Sequence, residues 1–147
     1  MKRTFIMISA MLSATLLSIG CGNENNPVSA NLLVGNWNLV TFSDKQDGFT
    51  LTAGQATDMG NGVTMTITGT LVFTETRYTA TVTLTSVVQG GQPQAATEVT
   101  SGTYSISGNK LEVVDDGSSE TEEVPFTLDG NRLTLDDFET TTVWERQ

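Results

Sequence analysis

Val63-Thr64-Met65-Thr66-Ile67-Thr68-Gly69-Thr70-Leu71-Val72-Phe73-Thr74 decides the reading of the chain. Val63, Met65, Ile67, Leu71 and Phe73 fall on one face, and Thr64, Thr66, Thr68 and Thr70 on the other. Successive side chains of a strand point to opposite faces, so a period of two over this length predicts a strand with one buried side. Gly69, on the inner face, predicts a bend or bulge. Residues 78–88 repeat the pattern, with Tyr78, Ala80, Val82 and Leu84 set against Thr79, Thr81, Thr83 and Thr85. Gln89-Gly-Gly-Gln-Pro93 then breaks it as a turn.

Working outward, residues 34–42 predict an opening strand, with Trp37 and Leu39 on one face and Val40 and Phe42 on the other. Residues 44–62 form a long polar connection, in which 49–52 predict a short strand or turn. A connection of this length in a compact domain is commonly a lid or binding loop. After the strand 94–107, the segment 104–113 recurs as 126–135, each copy a strand, a Gly-Asn turn and a strand. Two β-hairpins in succession make a meander. The strands are predicted at about 34–42, 63–74, 77–88, 94–107, 110–114, 122–128, 131–136 and 140–146. Eight antiparallel neighbours can close on themselves, which removes exposed edges. The interior is then filled by side chains or holds one small ligand.

The N-terminus has a different character. Lys2 and Arg3 precede an apolar run, residues 5–19, that is too short for a comfortable membrane span and reads as a secretory signal. It ends in Leu17-Ser18-Ile19-Gly20-Cys21, which resembles the lipobox of bacterial lipoproteins. That resemblance implies that Cys21 is acylated and becomes the mature N-terminus. The leucine usual three places before the cysteine is displaced by one, to Leu17. Gly22 follows the cysteine in place of the aspartate that implies inner-membrane retention, so the expected location is the outer membrane of the bacterial envelope. Cys21 is the chain's single cysteine, and a lone exported thiol outside a lipid linkage would be a redox liability. Residues 22–31 are polar and read as a flexible tether. The expected divisions are a signal-peptide helix at 1–20, the lipidated cysteine and tether at 21–31, and the folded domain at 32–147.

Three groups of residues resemble the lipocalin-like domain family of small bacterial lipoproteins: Leu33-Val-Gly-Asn-Trp-Asn-Leu39; Ser101-Gly-Thr-Tyr-Ser-Ile-Ser-Gly-Asn-Lys-Leu111 with Gly130-Asn-Arg-Leu-Thr-Leu135; and Val143-Trp-Glu-Arg146. The resemblance implies an all-β fold, an eight-stranded antiparallel up-and-down barrel of calycin type. It also implies one closed end, formed by Gly35 and Trp37 with Arg146 laid over the indole, an attractive arrangement for a planar cation. Parity agrees: after eight strands a meander leaves at the end where it entered. Loops 44–62, 89–93, 115–121 and 137–139 then share the open end, and turns 75–76, 108–109 and 129–131 the closed one.

The charge is −10, and removal of Lys2 and Arg3 with the leader leaves 5 basic against 17 acidic residues, or −12. This excess of acid excludes nucleic acid as a partner, since phosphate binding needs Lys and Arg. The acids gather at the open end, whereas Arg77, Lys110, Arg132 and Arg146 gather at the closed end. The weakly basic closed end, where the tether leaves, is therefore expected to face anionic lipid, with the acidic mouth pointing away.

The chain has no histidine, so no conventional triad or imidazole base is available and no catalytic residue is assigned. Asp115-Asp-Gly-Ser-Ser-Glu120 and Asp136-Asp-Phe-Glu139 lack the spacing of a calcium loop and read as solvated loops. No metal or cofactor is expected. The candidate pocket residues are Leu39, Met65, Ile67, Leu71, Phe73, Tyr78, Val82, Tyr104 and Phe126, which serve either a small apolar ligand or a filled core. The expected role is a membrane-anchored, non-enzymatic carrier of a small apolar ligand. The alternative is a structural module with a filled barrel that presents its acidic loops to an envelope protein. Radiolabelled palmitate supplied to expressing cells is expected to label the protein, and Cys21→Ser to abolish the label.

Overall fold

The computed structural model describes residues 30–147, so the leader, Cys21 and tether residues 22–29 lie outside the described residues. A 3-10 turn, Ala30–Leu32, leads into the sheet. The strands are β1 (Gly35–Asp44), β2 (Phe49–Thr52), β3 (Thr57–Asp58), β4 (Val63–Phe73), β5 (Arg77–Val88), β6 (Gln94–Ser107), β7 (Lys110–Asp115), β8 (Glu122–Asp129), β9 (Arg132–Asp136) and β10 (Thr140–Arg146). All pairings are antiparallel. Strands β4 to β10 pair in chain order, and β1 closes the ring by pairing β10 on one edge and β4 on the other. The eight long strands are those expected from the alternation. The connection 44–62 contributes β2 and β3, two short additions that line the seam between β1 and β4.

The register of β1 departs from strict alternation. Trp37 and Leu39 point inward opposite Arg146 and Trp144, but the ladder with β10 slips between Leu39 and Thr41. This β-bulge inserts Val40 as an extra residue, and every side chain beyond it changes face. Phe42, expected outside, therefore turns inward and packs on the core. Beyond Asn38, β1 also parts from β4, and its freed edge pairs with β2 from Thr41 to Asp44. Gly69 carries no bulge: its ladder with β5 is continuous. A Cβ there would lie 3.3 Å from the Leu39 Cβ and 3.2 Å from the Thr81 carbonyl, so the glycine admits a close approach of the neighbouring strands β1 and β5.

The core fills the barrel from the closed end. Leu33, Trp37, Leu39, Leu51, Ile67, Leu71, Phe73, Tyr78, Tyr104, Leu111, Phe126, Leu133 and Trp144 are all buried. The closed end is sealed by a compact set of contacts. The Trp37 indole N–H donates to the Leu33 carbonyl at 2.9 Å. The Arg146 guanidinium carbon lies 4.4 Å from the centre of the indole ring. Its Nη1 donates to the Val34 carbonyl at 2.9 Å and its Nη2 to the Leu32 carbonyl. Gly35 makes room for this: its φ of 142° suits glycine, and an added Cβ would sit 3.1 Å from Arg146 Nη1. Replacing Trp37 by alanine empties a fully buried site. It is expected to cost about 3–5 kcal/mol in denaturant unfolding while leaving the far end of the barrel unchanged in a ligand-binding assay.

Candidate functional site

The ring closes with a stagger, and the stagger makes the site. The row of paired residues that starts at Trp37 runs through Leu71, Ala80 and Thr100. There it leaves the sheet, because β7 ends at Asp115, opposite Gly102. Strands tilted about a barrel axis climb in this way, so the ends of neighbouring strands are offset. Strands β4, β5 and β6 consequently overhang β7 to β10 at the open end.

Beneath the overhang lies a cavity of about 260 Å³, lined by Phe42, Ala80, Val82, Glu98, Thr100, Glu122, Asp137, Phe138, Glu139 and Thr140. Phe42, Ala80 and Val82 are apolar, and four carboxylate residues share the lining with them. A second, shallower depression at the tips of the overhang is lined by Ala56, Asp58, Gly62, Thr64, Val87 and Gln89. Of the nine candidate pocket residues, Val82 alone lines the mouth cavity. Leu39, Ile67, Leu71, Phe73, Tyr78, Tyr104 and Phe126 lie in the packed core, and Met65 packs at its margin. Sequence reasoning missed Phe42, because the bulge that turns it inward leaves no trace in the alternation. Glu98 and Glu122 escaped notice as wall residues because a carboxylate on a strand is ordinarily read as solvent-facing, whatever face the alternation gives it.

The core aromatics are tied into the walls. Phe73 and Tyr104 meet edge to face at 4.9 Å, and the Tyr104 hydroxyl donates to the Thr74 carbonyl at 2.7 Å. The Tyr78 hydroxyl donates to the Asp115 carboxylate. To reach it, the ring passes Gly102, where a Cβ would lie 2.9 Å from the ring and 2.2 Å from the Val114 carbonyl; only glycine fits. Burial, and then the hydrogen bond to Asp115, push the Tyr78 hydroxyl far above its ordinary range. Burial likewise raises Tyr104.

The loop at 137–139 is held from within. Asp137 accepts from the backbone N–H groups of Glu139 at 2.8 Å and Thr140 at 2.6 Å, and from the Thr140 hydroxyl at 2.7 Å. Lys45 crosses to it, donating to the Asp137 carbonyl and pairing with Asp136 at 2.8 Å. Hydrogen bonds from Lys45 and Thr141 hold Asp136 below the usual carboxylate range. Phe138 is left standing in solvent at the lip, 92% exposed.

The stagger also revises the expected separation of charge. Arg77, at the closed end of β5, is level with the open end of β7 and pairs with Asp116 at 2.5 Å. Hydrogen bonds from Ser101 and Arg77 lower the Asp116 carboxyl. Lys110 pairs with Glu123 at 2.5 Å. Two of the four cations expected on the closed face are thus matched by acids assigned to the mouth. Among the described residues, no three carboxylates converge closely enough to hold a metal ion, and no helix is long and apolar enough to cross a membrane.

Glu122 is raised above the usual carboxylate range, first by burial and then by Asp137, Asp115 and Glu139. A carboxyl raised on folding binds its proton more tightly in the native state. Its contribution to stability is therefore present at low pH and lost as pH climbs through the native value. Glu122→Gln is accordingly expected to raise the thermal midpoint at pH 7 and to lose that advantage below the ordinary glutamate range, about pH 4. Calorimetry across this interval checks both limbs.

A family model described as "Lipocalin-like domain" matches residues 33–135. Among solved structures, the chain is similar to an uncharacterized protein from Bacteroides eggerthii DSM 20697. That likeness has 12% sequence identity and a TM-score of 0.46, and covers 78% of this chain and 99% of that one. No curated protein matches the chain.

Proposed function

The chain belongs to the lipocalin-like domain family, and on that premise we propose that it is a lipid-anchored envelope protein whose barrel mouth binds one small apolar ligand, neutral or cationic. The observation that carries this reading is the mouth cavity, where Phe42, Ala80 and Val82 offer an apolar wall beside four carboxylate residues. A volume of about 260 Å³ suits a ring system or short chain rather than a long acyl tail, being near the lower limit for ligand pockets. Glu98, Glu122, Asp137 and Glu139 repel a fatty carboxylate and favour a neutral or positively charged guest. The deeper barrel is packed, so the ligand sits at the mouth.

The role is binding rather than catalysis. The chain has no histidine, and Asp137, the most firmly held mouth acid, is occupied in fixing its own loop. The anchor rests on the signal sequence and on Cys21. The described residues begin at the closed end, where the Leu32 carbonyl meets Arg146, so an anchor upstream of them would turn the mouth away from the membrane whether or not the closed face is basic. Since Arg77 and Lys110 are already paired, the orientation is assigned to the tether rather than to charge.

N-phenyl-1-naphthylamine, a neutral apolar dye, is expected to brighten on binding the full chain, and a sulfonated naphthylamine of similar size to bind at least about tenfold more weakly, a difference of about 1.4 kcal/mol. Val82→Trp fills the cavity and is expected to abolish the neutral dye signal while changing the thermal midpoint little. Equal binding of both dyes, or signal retained in Val82→Trp, would overturn the site.

A further inference from the structure

Among the described residues, the overhang leaves part of the sheet unpaired. In β6, Gly102 to Ser107 pair with β7, whereas Gln94 to Thr100 pair, among the described residues, only with β5. The opposite edge of the overhang is covered, because β3 pairs with β4 at Met65 and Thr64. The direction of the backbone groups on β6 follows from its neighbours. The Tyr104 N–H donates toward β5, to the Thr76 carbonyl at 3.0 Å, and the Ser101 carbonyl accepts from the other side, from the Asp116 N–H at 2.8 Å. In an antiparallel ladder these directions alternate. Even-numbered residues therefore face β5, and Ala95, Thr97 and Val99 turn their N–H and C=O groups to the open side.

Side chains of β6 alternate as well. Glu98 and Thr100 line the mouth cavity, and Val99 points outward, 62% exposed. Phe138 stands bare on the cavity's rim. A segment added along this edge would bond to the three free residues and place every second side chain in the acidic cavity. We infer that the free edge of β6, residues 95–99, takes up an extended basic peptide segment as an added strand, with its lysine or arginine side chains reaching Glu98, Glu122 and Glu139. Backbone pairing supplies the binding, and the cavity selects the side chain, as in strand addition generally. Charge settles the occupant: the lining is acidic, and the chain as a whole carries −10, which opposes a second copy of itself. The inference shares the mouth with the small-ligand reading but rests on the edge, so the two fail separately.

The test uses the full chain and a capped seven-residue peptide of alternating lysine and valine, followed by amide exchange in NMR. The amides of Ala95, Thr97 and Val99 are expected to exchange quickly in the free chain and to become protected on binding. Those of Ala96 and Glu98, which face β5, should change little. Val99→Pro removes one edge donor without touching the β5 ladder and is expected to weaken binding about tenfold, the loss of a hydrogen bond and its neighbour's geometry. Glu98→Gln should weaken it severalfold and flatten its salt dependence. Equal binding of a glutamate-valine peptide, or protection confined to cavity residues, would overturn the inference. So would edge amides already protected in the free chain with concentration-dependent sedimentation, since a second copy would then occupy the edge. Should Val99→Pro not fold, the alternation of protection in the parent chain decides alone. A failed dye assay leaves this readout intact.

Discussion

Strand β1 has to hydrogen-bond to a neighbour on each edge, or the sheet stays open. It does so with only 10 residues, Gly35–Asp44. Near its start it holds β10 and β4 at once, through Trp37 opposite both Arg146 and Leu71. Both ladders cannot continue, because β4 climbs away into the overhang while β10 stays short. The bulge at Val40 lets β1 keep β10 and leave β4, and β2 takes the edge that is vacated. The closed end is thus the fixed end. Arg146 binds two carbonyls and covers the indole, and this joins the beginning of the domain to its last strand.

The open end follows from the same arrangement. Where β1 departs from β4, Phe42 turns inward and forms part of the cavity wall. Where β7 falls short of β6, the wall on the other side is missing and acids from β6, β8 and the loop at 137–139 converge on the gap. Their mutual repulsion is visible at Glu122, whose proton is held more tightly by burial and by Asp137, Asp115 and Glu139. Elsewhere acids are neutralised locally, by Arg77 at Asp116 and by Lys110 at Glu123. The negative field of the mouth is thus an unpaired remainder. A cationic guest, whether a small amine or a basic peptide, is the complement such a field selects.

Glycine positions show how local and global demands meet. Gly35 answers a backbone demand, a positive φ beneath the arginine. Gly102 answers a demand that is purely spatial, the passage of the Tyr78 ring on its way to Asp115. The motif containing Gly102 stood out in the chain, yet its reason lies in a tyrosine that is remote in sequence and reaches it only across the ladder between β5 and β6.

The sequence by itself determined the eight long strands, the turns between them, the inward faces of β4 and β5, and the pairing of Trp37 with Arg146 of the last strand. The strands and their faces are properties of short stretches, since a period of two aims each side chain and Gly-Asn marks two of the hairpins, whereas the Trp37 pairing followed from the family resemblance and the parity of the strand count. The tertiary structure alone decided the bulge at Val40, the stagger that leaves β6 with a free edge, the ion pairs of Arg77 and Lys110, and the position of the cavity. Of the residues expected to line a pocket, Val82 does so and the others are core or packed at its margin, because the alternation tells inside from outside but not filled from empty. Phe42, Glu98 and Glu122 became wall residues only when the ring closed. Which way a side chain points is set by its own strand, whereas how far neighbouring strands slide past one another is set by the closure of the ring.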